Sequence, residues 1–203
     1  MLLVALTGNI ASGKSTVAQA LVARGAVLVD SDVAARAAVA AGTPALAAIV
    51  ARFGAGVRQP DGSLDRAAMG RLVFGDPAAR EALERIVHPA VEQARVTAVA
   101  EARAAGAEIV VCDIPLLFEA RLAWHFPRIL LVDASASVRI DRLVRDRAMP
   151  PDDASARVRA QLPAALKRPR ADLVLGNDGD RAALLPQLDA AWTRLAYWAA
   201  AHR

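Results

Sequence analysis

Short apolar runs that close on glycine or aspartate recur along this chain, separated by stretches with helical spacing. Leu2–Thr7 is mostly apolar and ends at Gly8, the pattern of a buried strand. From Ser15 to about Ala23, the apolar residues Val17, Leu21 and Val22 fall at helical intervals, and Gly25 supplies a stop. Ala26–Val29 predicts a second strand, closed by Asp30-Ser31-Asp32. Strand, glycine-rich turn, helix and strand form a βαβ unit, which implies a parallel sheet.

Mostly helical signals fill residues 33–105. Thr43-Pro44 reads as a helix start with proline in the first turn, Pro60-Asp61-Gly62-Ser63 as a turn, and Asp76-Pro77 as another start. His88-Pro89 predicts a break or restart. Strands follow at Glu108–Cys112, ending at Asp113, and at Arg128–Val132, ending at Asp133. Ser135 to about Arg147 is helical and arginine-rich, Met149–Asp153 breaks it and leads into another helix, Leu173–Leu175 is a last strand, and Leu184–Ala201 a last helix. The order predicts a doubly wound α/β fold of the P-loop type. It reads as one domain over residues 1–203, with a helical insertion at about 36–105 and a helical lid at about 139–170. Ligands of such sheets bind beyond the carboxyl ends of the strands, where Thr7, Asp30, Asp32, Asp113 and Asp133 fall.

Composition narrows the classes. The 203 residues are 55% hydrophobic and 23% charged, which suits a globular chain rather than a disordered one. Aromatic residues make up only 4%, which argues against a base-stacking surface. The net charge is +4, but the basic residues are scattered among acids rather than gathered in a block. That charge suits a phosphorylated small molecule better than a nucleic acid. The single cysteine, Cys112, excludes an internal disulfide, and no zinc-ligand spacing occurs. No apolar stretch is long enough to span a bilayer, and the start lacks the form of a signal peptide, so a cytoplasmic location is the expectation. Oligomeric state leaves no mark in the sequence.

The strongest chemical signal is Gly8-Asn9-Ile10-Ala11-Ser12-Gly13-Lys14-Ser15-Thr16, a full match to G-x-x-x-x-G-K-[ST] between a strand and a helix. Glycines let the backbone turn tightly and aim N–H groups inward, and the helix N-terminus adds partial positive charge. Residues Asn9 to Thr16 would hold the ATP phosphates, with Lys14 bridging the β- and γ-phosphates, Ser15 placing its hydroxyl on Mg²⁺ and Thr16 near the α-phosphate. Only Lys14 and Lys167 are lysines, so the position of each is conspicuous.

The loop alone does not separate kinases from other nucleotide-binding proteins. The guanine motif of GTPases is missing. Asp30 and Asp32, two apart at a strand end, would face one side. One of them could take the proton of an attacking hydroxyl, or both could cap a helix or form the turn. Arg139, Arg142, Arg145 and Arg147 can share a helical face, as in a lid that excludes water and neutralises transition-state charge, or stand as a solvated basic helix. Rival readings are a small P-loop kinase for a nucleoside, nucleotide or sugar acid, and a non-catalytic nucleotide- or RNA-binding protein.

Several further elements together resemble the dephospho-coenzyme A kinase family. They are Leu3–Val17, Val29–Arg36 with its D-x-D-x-x-x-R form, Gly42-Thr43-Pro44-Ala45-Leu46, Asp61-Gly62-Ser63-Leu64-Asp65-Arg66 and Val73-Phe74 before Asp76-Pro77. They continue with His88-Pro89, Asp113-Ile114-Pro115-Leu116-Leu117-Phe118-Glu119, Arg142 to Asp146, and Lys167-Arg168 with Ala171-Asp172 and Asn177. The resemblance implies ATP-dependent phosphorylation of the ribose 3′-hydroxyl of dephospho-coenzyme A, with Mg²⁺. It implies Asp32 as base, Lys14 with Arg142 or Arg145 at the transferred phosphate, and Asn177 at the nucleotide. It also implies an acceptor held by the helical block, with Asp32, Arg36, His88, Asp113 and Leu116 near it. No nucleic-acid or membrane partner is implied. The chain departs from the family pattern at Asn9 and Ala11, where glycine is usual, and in Ala120–Phe126, where the family's form contains glycine.

Overall fold

The computed structural model describes residues 1–201, which fall into two compact units. Among the described residues, the first comprises Met1–Val29 and 102–201, the second Asp30–Glu101.

The sheet has five strands in the order β2-β3-β1-β4-β5: β1 Leu2–Gly8, β2 Val27–Asp30, β3 Ile109–Asp113, β4 Arg128–Asp133 and β5 Leu173–Gly176. β1 is central and pairs in parallel with β3, Leu2 opposite Ile109, and with β4, Val4 opposite Arg128. A central parallel strand is covered on both faces, which is why Leu2–Thr7 reads as a run rather than an alternation. On the face carrying Leu2, Val4 and Leu6, helices α1 (Lys14–Val22) and α9 (Arg181–Ala201) supply Val17, Leu21, Leu184, Leu188 and Leu195, all buried. Each such side chain contributes about 1.5–3 kcal/mol relative to an exposed one. This packing fixes the carboxyl end of β1, and with it the turn into α1.

After β4 come α6 (Ala136–Arg147), α7 (Pro151–Arg159), α8 (Ala164–Lys167) and a 3-10 turn, Arg168–Arg170. Leu143, Ala154 and Val158 join α6 to α7 in a small core of their own. The segment is anchored by a buried charge. Lys167 is fully buried and its Nζ donates to Glu119 Oε1 at 2.7 Å, while the Leu162 N–H donates to the same oxygen at 3.3 Å.

The second unit holds α2 (Ser31–Ala38), α3 (Pro44–Phe53), α4 (Arg66–Val73) and most of α5 (Pro77–Ala104) around Val39, Ile49, Val57 and Met69. Thr43 caps α3 through the Leu46 N–H, and Asp65 caps α4 through the Ala68 N–H. The Asp61 carboxylate accepts from the Ser63 hydroxyl at 2.6 Å and from the Ser63 N–H at 2.9 Å, which together hold its pKa below the usual carboxylate range. The D-G-S-L-D-R element is thus a tight turn followed by a helix cap.

Three local expectations are corrected. His88-Pro89 does not break the helix: α5 runs through Pro89. A proline there costs about 3 kcal/mol, but Leu83, Ile86, Val87 and Ala90, on both sides of it, pack on the core of this unit and hold the turns together. The last helix begins at Arg181 rather than Leu184 because Asp180 accepts from the Ala183 N–H at 2.9 Å. β2 ends at Asp30, so Asp32 is not a strand residue and the alternation argument for Asp30 and Asp32 fails.

Among the described residues, no helix is long and apolar enough to cross a membrane.

Two stability predictions arise here. Arg121 takes a left-handed backbone, φ 57°, in the stretch where the sequence lacks a glycine. That conformation costs an L-residue about 1–2 kcal/mol, offset in part by the chain entropy of glycine. Arg121→Gly should therefore raise the unfolding free energy by about 0.5–1 kcal/mol in denaturant melts; a loss of stability would refute strain at this position. Removing one partner of a buried ion pair costs about 3–5 kcal/mol when the remaining charge is fully buried. Glu119 keeps 24% of its side chain exposed and Lys167 none. Glu119→Gln, which strands the buried ammonium, should thus destabilise more than Lys167→Met, as read from the same melts.

Candidate active site

Between Gly8 and Lys14 the chain passes from β1 to α1 without a side-chain cap. Two glycines make the turn possible. A Cβ on Gly8 would meet Ser12 Oγ at 2.5 Å and the Val132 carbonyl oxygen at 2.6 Å. Gly13 sits at φ 93°, and a Cβ there would lie 2.1 Å from the Asn177 amide nitrogen. Ala11 also adopts a left-handed backbone, φ 59°, so the turn keeps its shape there at a cost of about 1–2 kcal/mol. Asn9 does not use the left-handed tolerance of asparagine. The first turn of α1 carries no acidic side chain, so its N–H groups and the helix dipole remain available to an anion. Ser15 and Thr16 are exposed on that turn.

Side chains from four other elements converge on this turn. Lys14 Nζ is ion-paired with Asp113 Oδ1, at the carboxyl end of β3. Asn177, just past β5, donates from Nδ2 to the Ser12 carbonyl at 2.7 Å, and its own N–H donates to the Asp133 carbonyl at 2.7 Å. Arg142 of α6 donates to the Ala11 carbonyl at 3.3 Å and to the Asn177 carbonyl at 2.8 Å. The turn beyond α7 completes the set: Gln161 Oε1 accepts from the Ile10 N–H at 2.7 Å, and Asn9 Nδ2 donates to the Leu162 carbonyl at 3.1 Å. Ile10 and Ala11 pack against the Leu143, Ala154 and Val158 core of α6 and α7.

The four arginines of α6 do not share one role. Arg142 reaches the phosphate turn, whereas Arg145 is exposed and pairs with Asp146, Nε to Oδ1 at 2.6 Å, which raises its pKa and lowers that of Asp146. Arg139 is buried, with Nε donating to the Ala134 carbonyl at 3.1 Å. Burial lowers its pKa against the opposing pull of Asp133. Arg147 is exposed. Asp133 is ion-paired with Arg168.

In the second unit Asp30 caps α2, accepting from the Asp32 N–H at 2.8 Å and the Val33 N–H at 3.2 Å. Helix capping therefore accounts for Asp30 but not for the Asp32 side chain, which is exposed on the first turn. Arg36 lies one turn further along α2 and is exposed, as is His88 on α5. Leu116, in the first unit just after Asp113, is half exposed. Gln161 escaped the sequence reading as an individual residue: an uncharged side chain between a helix and a proline carries no local signal. Among the described residues, no three histidine, cysteine, aspartate or glutamate side chains cluster to hold a metal.

A family model described as dephospho-CoA kinase matches residues 2–183. The dephospho-CoA kinase of Streptomyces avermitilis is 49% identical over 178 residues, covering 88% of this chain and 86% of that protein. That of Anaeromyxobacter dehalogenans is 47% identical over 189 residues, covering 93% and 90%. The crystal structure of TT1252 from Thermus thermophilus superposes with a TM-score of 0.79 at 35% identity, over 96% of this chain and 97% of that one. With this match spanning the phosphate turn, the sheet and the helical insertion alike, the chain belongs to the dephospho-CoA kinase family.

Proposed function

We propose that the chain transfers the γ-phosphoryl group of ATP to the ribose 3′-hydroxyl of dephospho-coenzyme A, giving coenzyme A and ADP. One observation carries the reading: a complete phosphate turn whose lysine is paired with the aspartate of the D-I-P-L-L-F-E element, in a chain of this family. The 3′-oxygen forms the new bond to γ-phosphorus, the bond from γ-phosphorus to the β,γ-bridging oxygen breaks, and the hydroxyl proton needs an acceptor.

Asp32 is our candidate for that acceptor. Because Asp30 takes the capping bonds of α2, the Asp32 carboxylate is left exposed and uncommitted to the cap. Lys14 would exchange Asp113 for the β- and γ-phosphates, a swap of one anionic partner for another. Arg142, with its guanidinium already at the rim of the turn, is the better candidate than Arg145 for developing phosphate charge. Mg²⁺ fits the donors present. It is usually held by substrate phosphates, water and one or two protein oxygens rather than by a protein cage. The exposed Ser15 hydroxyl and the Asp113 carboxylate are of that kind. Bound there, the ion would offset charge on the β- and γ-phosphates.

For the acceptor, the second unit offers a cavity of about 550 Å³ between the start of α3 and the 58–62 turn, mainly apolar but with Arg58 and Asp61 at its wall. Such a lining suits a long, largely uncharged arm bearing a few polar groups. Arg36 and His88 remain candidates for acceptor contacts, as does Leu116. Substrates of this kind fit work in the cytoplasm.

The deciding assay supplies Mg-ATP with dephospho-coenzyme A, AMP, adenosine or gluconate and follows ADP. Turnover is expected only with dephospho-coenzyme A, with the new phosphate at the 3′ position; turnover on another acceptor alone would overturn the assignment. Lys14→Ala should lower kcat/KM by about 100-fold or more, the scale of losing one charge-stabilising donor. Asp32→Asn should lower kcat by about 10²–10⁴-fold, the range for general base catalysis, and leave ATP affinity unchanged. An unaltered kcat in that variant removes Asp32 from the base role.

A further inference from the structure

The phosphate turn has two rims. Its inner rim, Ser12 to Thr16, leads into the uncapped N-terminus of α1 and suits an anion. Its outer rim, Asn9 to Ala11, is engaged by the α6–α7 segment. Ile10 donates its N–H to Gln161 Oε1 at 2.7 Å, and Asn9 Nδ2 donates to the Leu162 carbonyl at 3.1 Å. Ala11 receives Arg142 at 3.3 Å and packs with Ile10 on Leu143, Ala154 and Val158. Asn9 is 5% exposed, and its Oδ1 accepts no bond from any described residue. Burying an amide with half of its capacity unmet is unfavourable, so the loop holds this side chain inward against a cost. A glycine at position 9, the usual residue of the family pattern, has no side-chain donor to offer.

We propose that Asn9 and Gln161 are positioning residues for the transfer reaction, forming a latch that ties the α6–α7 segment to the phosphate turn. The proposal rests on the phosphotransferase reading above. The two rims belong to one short turn tied by Asn177 and Arg142, so phosphates that fix the inner N–H groups also steady the outer groups that Gln161 and Leu162 engage. The latch then keeps α6 and α7 over the phosphates, holds Arg142 at the rim and excludes water, which competes with the acceptor hydroxyl. Neither residue touches the reacting atoms.

The test compares Asn9→Gly, Gln161→Leu and Gln161→Glu with the wild-type chain. Three quantities are read: ADP released per coenzyme A formed at saturating dephospho-coenzyme A, amide hydrogen exchange across residues 151–162 with and without ADP, and melting temperature. Asn9→Gly and Gln161→Leu should each raise ADP per coenzyme A several-fold and lose the nucleotide-induced protection. Gln161→Glu, which retains an acceptor oxygen for the Ile10 N–H, should stay close to wild type. All three should melt within a few degrees of one another. A lower melting temperature in Asn9→Gly and Gln161→Leu with an unchanged product ratio and unchanged protection would show a merely structural role and overturn the proposal. If Gln161→Leu does not fold, Asn9→Gly decides, since the family's own turn accommodates glycine there. If the wild type forms no coenzyme A, the functional reading falls, and the ADP-dependent protection still decides whether the latch exists.

Discussion

Between Gly8 and Lys14 the backbone must leave a buried central strand and enter a helix within one tight turn, with no room for a Cβ at either glycine. The rest of the first unit is arranged around that constraint. β1 is held on both sides by parallel partners, so the turn leaves from a fixed point. The N-terminus of α1 is left without side-chain cap or acidic residue, which leaves it open to an anion by our reading. A capping aspartate at Gly13 would satisfy those groups and fill the site with negative charge. The loop therefore relies on neighbours to hold its shape: Asn177 ties the Ser12 carbonyl, and Arg142 ties the Ala11 and Asn177 carbonyls. Ala11 in a left-handed conformation shows the loop geometry outweighing local preference, as is common where strain serves a site.

The sequence revealed much of this because the chemistry of the turn demands particular residue types. Glycines, lysine and hydroxyls at fixed spacing mark the turn between β1 and α1 as a P-loop. The sheet was equally plain, since buried parallel strands are written as apolar runs that end at Asp113, Asp133 and Gly8. Helix starts at Thr43-Pro44 and Asp76-Pro77 were visible because capping is local.

What stayed hidden depended on contacts distant in sequence. The passage through Pro89 turns on packing around Ile86 and Ala90, which outweighs the proline's local cost. The division of labour in α6 depends on what each guanidinium meets: a carbonyl of the phosphate turn for Arg142, a neighbouring carboxylate for Arg145, the interior for Arg139. Helical spacing alone gives all three a common face. The Asp30 and Asp32 pair illustrates a subtler failure. The strand ends at Asp30, two residues short of Asp32, so a cap and an exposed acid replace the shared face, and local capping bonds separate the two carboxylates.

The two lysines of an otherwise arginine-based chain bear on the same physics. Arginine is planar, spreads its charge over five donors and suits rims and surfaces, where Arg142 and Arg145 each engage more than one acceptor atom. Lysine is a compact charge on a thin stem. At position 14 it pairs with Asp113 and by our reading later with a phosphate. At position 167 it is fully buried against a single carboxylate oxygen that also receives the Leu162 N–H. At position 167 a guanidinium would bring more donors than the one carboxylate oxygen accepts, and leave some stranded in the interior. Lys167 thereby fixes the segment that carries Gln161 and Leu162 to the outer rim of the turn, while Lys14 serves its inner rim. By our reading the two lysines serve the phosphate turn differently, Lys14 as its charge and Lys167 as an anchor of the segment that engages it.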